Sequence, residues 1–153
     1  SIMALSRQKT AAVRTEASAE NLSAHGAYQL LPAGSPAQVT LFATGTEVAV
    51  AVAARDILEA EGVGTRVVSM PCWELFEDQT DRYRSAVLGD TPVKVAIEAA
   101  VRTGWDRYIG ADGIFVGMTG FGASAPAERL YQEFDITAQA VADAARARLS
   151  QES

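Results

Sequence analysis

The chain has 153 residues, 48% hydrophobic and 21% charged, the make-up of one globular domain that needs neither disulfide nor metal to bury a core. A net charge of −6 without a basic stripe argues against nucleic acid, and the single Cys72 and single His25 leave no intrachain disulfide, no His/Cys zinc set and no supported Ser-His-Asp triad. With no apolar run near the roughly 20 residues of a membrane helix and no secretory leader in view, the expectation is a soluble, cytoplasmic domain without membrane partners.

The predicted elements alternate. Ile2–Leu5 (IMAL) is a candidate strand, residues 9–25 read as a polar, alanine-rich loop or short helix, and Ala27–Leu31 is a second candidate strand. Val39–Ala43 (VTLFA), set between Pro36 and Gly45, reads as a buried strand. Thr44 and Glu47, three apart, match a capping box opening a helix that Gly62 ends. Thr65–Ser69 (TRVVS) is the next strand. Pro71 then breaks the chain ahead of two short helices, Trp73–Phe76 and Arg82–Val87. Val93–Ile97 (VKVAI) and Gly113–Gly117 (GIFVG) are further strands, separated by a helical stretch over Gly104–Ile109. Ser124 and Pro126 start a helix reaching Phe134. Thr137 caps the last helix, whose Val141, Ala144, Ala145 and Leu149 share one face. Near-continuous apolar strands separated by helices give an α/β fold, a largely parallel sheet covered on both faces.

Such sheets bind ligands at the carboxyl ends of their strands. The turn Thr44–Glu47 can hold an anion on free N–H groups, or can be an ordinary helix start with Gly45 in a tight turn. The loop Gly117–Ser124 spaces its glycines G-x-x-G-x-G, the reverse of the dinucleotide fingerprint, and reads better as a flexible turn that packs Phe121. Glu98 ends a buried strand and is the best-placed carboxylate for acid–base work; its plainer role is to accept hydrogen bonds from backbone or arginine. Trp73 and Trp105 fit a pocket wall or, more ordinarily, the core. His25 is expected to face solvent. Arg7 follows the IMALS run and precedes Gln8, so its planar five-donor head suits a bidentate grip on carboxylate or phosphate, or a structural salt bridge.

Several segments appear in a specific order: Ala4–Gln8 (ALSRQ), Gly26–Tyr28, Ala43–Val48 (ATGTEV), Arg66–Phe76 (RVVSMPCWELF), Tyr83-Arg84, Val95–Ala99 (VAIEA) and Phe121–Glu128 (FGASAPAE). Together they resemble the C-terminal domain of transketolase over almost the whole chain, 1–153, as one domain. The resemblance implies a three-layer α/β/α fold with a mixed, mostly parallel five-stranded sheet and one antiparallel strand. It also implies a thiamine-diphosphate and divalent-metal (Mg or Ca) enzyme that moves a two-carbon ketol unit between sugar phosphates. In that family the first two domains build the cofactor site across a homodimer interface, so no cofactor, metal ligand or catalytic residue is expected here. The arginine of the ALSRQ segment contacts the substrate's phosphate there, which makes Arg7 the substrate-phosphate-binding residue of this chain. Glu98 is not the glutamate that activates thiamine.

The chain opens with the Arg7 segment already under way, so it is expected to be cut from a longer polypeptide and to be inactive alone. Two alternatives stand beside this reading. One is the related domain of dehydrogenase E1 components or deoxyxylulose-phosphate synthases, which are not expected to share the WELF and FGASAPA segments together. The other is a stand-alone regulatory module that holds a small anion at Thr44–Glu47 or Gly117–Ser124.

Overall fold

The structure, a computed structural model, describes residues 9–15 and 19–152. The expected strand Ile2–Leu5 and the candidate residue Arg7 lie outside the described residues. Five strands form one sheet: β1 (Tyr28–Leu31), β2 (Val39–Ala43), β3 (Thr65–Ser69), β4 (Val93–Glu98) and β5 (Ile114–Gly117), in the order β1-β3-β2-β4-β5. The pairs β2–β3, β2–β4 and β4–β5 are parallel, and β1 alone runs antiparallel, against β3. The mixed sheet expected from the resemblance is present.

β2 is the centre. All five of its residues are buried, and alternation sends Val39, Leu41 and Ala43 to one face and Thr40 and Phe42 to the other. The first face packs on α1 (Glu47–Ala60) and α6 (Ala138–Glu152) through Ala51, Ala54, Leu58, Val141 and Ala145. The second face packs on α2 (Trp73–Glu77), α3 (Asp81–Leu88) and α4 (Asp106–Ile109), where Phe42, Val68 and Ala96 meet Phe76, Val87 and Trp105. α5 (Ala127–Glu133) lies against the first layer through Tyr131.

Local chemistry explains most helix ends. Gly62 and Val63 donate backbone N–H groups to Glu59 and Leu58 at 3.0 and 2.9 Å, the double bond that closes a helix through a left-handed glycine. Thr80 caps α3 by accepting from Tyr83 N–H at 3.3 Å, and Thr137 accepts from Ala140 N–H at 3.2 Å. The capping box at Thr44 and Glu47 does not form. α1 starts at Glu47 behind Thr46, without a side-chain cap, because the Glu47 carboxylate accepts from the hydroxyls of Thr46 and Tyr131 instead of reaching back to the backbone. α4 is also shorter than expected: Gly104 has φ +92° against the Trp73 ring, and regular helix begins only after it.

Gly26 closes the short 3₁₀ turn Leu22–His25 with φ +80°, and a Cβ there would lie 2.2 Å from Phe76 N and 2.3 Å from Cys72 O. Gly62 has φ +82° with open space around it. Gly62→Ala therefore suffers only left-handed backbone strain, about 1–2 kcal/mol, whereas Gly26→Ala adds a clash with backbone and should lose more than about 3 kcal/mol. Urea unfolding of the two variants checks this. Equal losses would show that the close approach at Gly26 contributes nothing.

Candidate functional site

The connections leaving β2 and β4 move to opposite sides of the sheet: α1 covers one face and α4 the other. The carboxyl ends of these two strands are therefore the topological switch point. An apolar pocket of about 210 Å³ opens beside it, walled by Ala99, Met118, Leu130, Tyr131 and Phe134. A broader groove of about 570 Å³ runs on from Tyr131 to Thr46 and to the segment Lys9–Ala11. Lys9 stands two positions after Arg7 in the sequence.

Between the two lies a small polar cluster. Glu47 is 6% exposed and accepts from Thr46 Oγ1 at 2.6 Å and from the Tyr131 hydroxyl, which is itself 2.8 Å from Thr46 Oγ1. Burial, followed by the hydrogen bond to Glu47, pushes the Tyr131 phenol up to about 12. This turn is the Thr44–Glu47 anion candidate, and the protein's own carboxylate stands in it with the neighbouring hydroxyls already engaged. An incoming anion would meet a buried like charge.

The second loop differs from expectation. Residues 119–126 are exposed, and Phe121 is not packed; it is fully exposed, because among the described residues no element reaches over the end of β5 to cover it. Gly120, beside it, has open space where a Cβ would be.

Glu98, at the end of β4, accepts from Trp105 Nε1–H at 2.7 Å. It is a structural acceptor, though the donor is an indole and neither backbone nor arginine. Trp105 is fully buried and meets Trp73 edge-on with ring centroids 5.0 Å apart, so the core reading of both tryptophans holds. His25 does not simply face solvent. Its Nε2 is 2.9 Å from Glu20 and its Nδ1 3.3 Å from Gln79, and these bonds raise its pKa. The sequence reading missed Tyr131 and the pairing of Glu47 with it, a contact across 84 positions for which local pattern carries no signal. Among the described residues no group of three or more His, Cys, Asp or Glu could hold a metal ion. Among the described residues the carboxyl edge thus brings together an apolar pocket and a satisfied hydroxyl–carboxylate cluster.

The family described as the transketolase-like TK C-terminal domain matches residues 26–137. The chain belongs to this family. The transketolase of Cereibacter sphaeroides is 54% identical over 148 residues, which is 97% of this chain and 22% of that protein. The solved transketolase of Leishmania mexicana superposes with a TM-score of 0.77 at 44% identity, over 85% of this chain and 19% of that one. A transketolase of Pichia stipitis, solved in complex with sedoheptulose-7-phosphate, gives 0.76 at 32% identity, over 84% of this chain and 18% of that one. The chain spans about a fifth of the length of the curated relatives it matches. A transketolase C-terminal domain is therefore the frame in which the switch-point groove is to be read.

Two outcomes follow for this transketolase C-terminal domain. A phenol whose pKa rises on folding stabilises the fold fully below its unfolded value near 10, and that contribution is lost as pH rises through about 12. An absorbance titration should show Tyr131 ionising near 12, and Glu47→Gln should lower it while leaving in place Tyr108, whose phenol is also pushed up to about 12 by burial and the hydrogen bond to Glu77. An unchanged Tyr131 titration would assign the shift to burial alone. At Glu98, Glu98→Ala leaves the buried Trp105 N–H without its acceptor and should cost about 1–3 kcal/mol in thermal or urea unfolding. Glu98→Gln keeps an acceptor oxygen and should cost less; the reverse order would remove Glu98 from this role.

Proposed function

We propose that this domain serves a thiamine-diphosphate-dependent transketolase, transferring a two-carbon ketol unit from a ketose phosphate to an aldose phosphate, and that it is inactive by itself. What carries the reading is one observation: 54% identity to a transketolase, running through 97% of this chain. The substrate class is supported by the Pichia stipitis relative, which was solved with a seven-carbon sugar phosphate.

The described residues do not fit the cofactor. They contain no metal-ligating cluster, and the Thr44–Glu47 turn holds the buried Glu47 carboxylate where a diphosphate would sit. Thiamine diphosphate and a divalent metal (Mg or Ca) belong, in this proposal, to upstream domains of the same polypeptide, which work as a homodimer in the cytoplasm. This domain's part is positional. Its apolar pocket and exposed loop face those domains from the carboxyl edge, and the segment entering at Lys9 carries Arg7. A guanidinium can grip a phosphate through two parallel hydrogen bonds. Held that way, the far end of the sugar is fixed while the bond at the other end breaks, and binding energy remote from the reacting carbon lowers the barrier.

In the complete enzyme, Arg7→Ala should raise KM for a phosphorylated donor by about tenfold or more, the equivalent of roughly 1.4 kcal/mol. KM for an unphosphorylated ketose should stay within about twofold. Steady-state kinetics on both substrates decides it, and an equal loss on both would remove the phosphate contact from Arg7.

A further inference from the structure

The amino-terminal edge of the sheet, opposite the switch point, holds an arrangement that the transketolase reading does not use. Thr40 on β2 pairs in register with Arg66 on β3 and with Lys94 on β4, so these three side chains form one row across the second face. Two strand spacings separate the cations, about 10 Å at the backbone, and both side chains are long enough to converge. Beneath them Thr40 and Thr91 share a buried hydroxyl–hydroxyl bond of 2.8 Å, which leaves neither threonine to serve the cations.

Arg66 has a structural task that occupies only part of its head. Its Nη2 donates to Val87 O at 2.7 Å and Ala86 O at 3.2 Å, capping the last carbonyls of α3. Gly89 permits this, since a Cβ there would lie 2.2 Å from Nη1. Among the described residues Nε is buried without a partner and Nη1 donates to nothing. The Lys94 ammonium makes no hydrogen bond or ion pair among the described residues, and burial together with the Arg66 charge lowers its pKa. Asp90 attracts both cations at longer range but pairs with neither, and it is exposed. Arg66, Lys94, Ser85 and Asp90 line an open pocket of about 620 Å³.

Among the described residues these two half-buried cations, on one row and with donors unused, form no ion pair, and the exposed Asp90 attracts them only at longer range. We propose that Arg66 and Lys94 form a binding site for a phosphate group, free or carried by a small metabolite, at the amino-terminal edge of the sheet. A phosphate dianion suits the pair better than a carboxylate. It balances both charges, and its three free oxygens can take Nη1 of Arg66 and Nζ of Lys94 together while Ser85 offers a hydroxyl. The site shares no lining residue with the switch-point groove at the other end of the strands.

The test is a chemical-shift titration of the 153-residue chain with inorganic phosphate and, separately, glycerol 3-phosphate, with chloride holding ionic strength constant. Saturable shifts centred on Ser85, Gly89 and Lys94, with a Kd in the low millimolar range or below, are expected; the tighter of the two ligands identifies the source of the group. Lys94→Met keeps the aliphatic stem and should weaken binding about tenfold or more, while Asp90→Asn removes the one repulsive charge and should tighten it about threefold. Both positions lie outside the core, so the variants remain folded for the comparison. Absence of saturation by tens of millimolar, or binding that Lys94→Met leaves as it was, would overturn the proposal.

Discussion

The complete burial of β2 is the constraint on which the rest of this molecule depends. A strand that is buried on both faces and hydrogen-bonded on both edges can offer no polar side chain without a partner, and VTLFA offers one, Thr40, satisfied by Thr91. Everything else is arranged to cover it. β3 and β4 satisfy its backbone, α1 and α6 close one side, and α2, α3 and α4 close the other. Because β2 comes first among the parallel strands and lies between its successors, the chain must leave it in one direction and return on its far side. That order of travel is what opens a crevice at the carboxyl ends of β2 and β4. The site is a consequence of topology before it is a matter of side chains.

The two layers are not equivalent. The layer against α1 and α6 is built largely from alanine on the helix side, with Ala51, Ala54, Ala142 and Ala145 fully buried. Small side chains bring the helices close to the sheet but contribute little apolar area each, so the valines, leucines and isoleucines of the strands supply most of the driving force there. The layer against α2, α3 and α4 is aromatic. Trp73, Phe76, Trp105 and Tyr108 meet at edge-to-face or tilted angles, and two of the polar tips in that group find carboxylate acceptors: Trp105 reaches Glu98, and Tyr108 reaches Glu77 at 2.9 Å. Glu98 thereby has a structural reason to be a carboxylate at a strand end, the position where sequence alone invites a catalytic reading.

What was legible in the sequence follows from the range of each interaction. The strands were legible because each is a contiguous apolar run between breakers, and Gly62 and Thr137 act on neighbours within one turn. The misreadings turn on what lies distant in the chain, whether a partner that is there or a cover that is not. Thr44 and Glu47 have capping-box spacing, yet Glu47 is claimed by Tyr131 from α5. Phe121 was expected to pack because large aromatics usually do, but only a covering element could have packed it, and among the described residues none lies over that loop. His25 stands in a polar loop, and its partner Gln79 comes from beyond α2. A local pattern specifies what a residue can do; which of two competing partners wins is decided by tertiary geometry.

The same competition explains why the two ends of the sheet carry different electrostatics. At the carboxyl edge an acidic residue sits in the first turn of α1, where the helix dipole favours it, and two hydroxyls complete its bonds, so that edge carries a buried negative charge whose hydrogen bonds are satisfied. At the amino edge a cation is placed where the α3 dipole favours it, at that helix's last carbonyls. There the balance stops short. α3 provides only carbonyl oxygens, which satisfy hydrogen bonds without cancelling charge, and the in-register neighbour across β2 is Lys94, a second cation. Replacing Lys94 with a neutral side chain would have removed the repulsion at no visible cost to the sheet, since its ammonium makes no hydrogen bond or ion pair among the described residues. A row that keeps two like charges side by side beneath an open pocket is arranged for a third, opposite charge from outside.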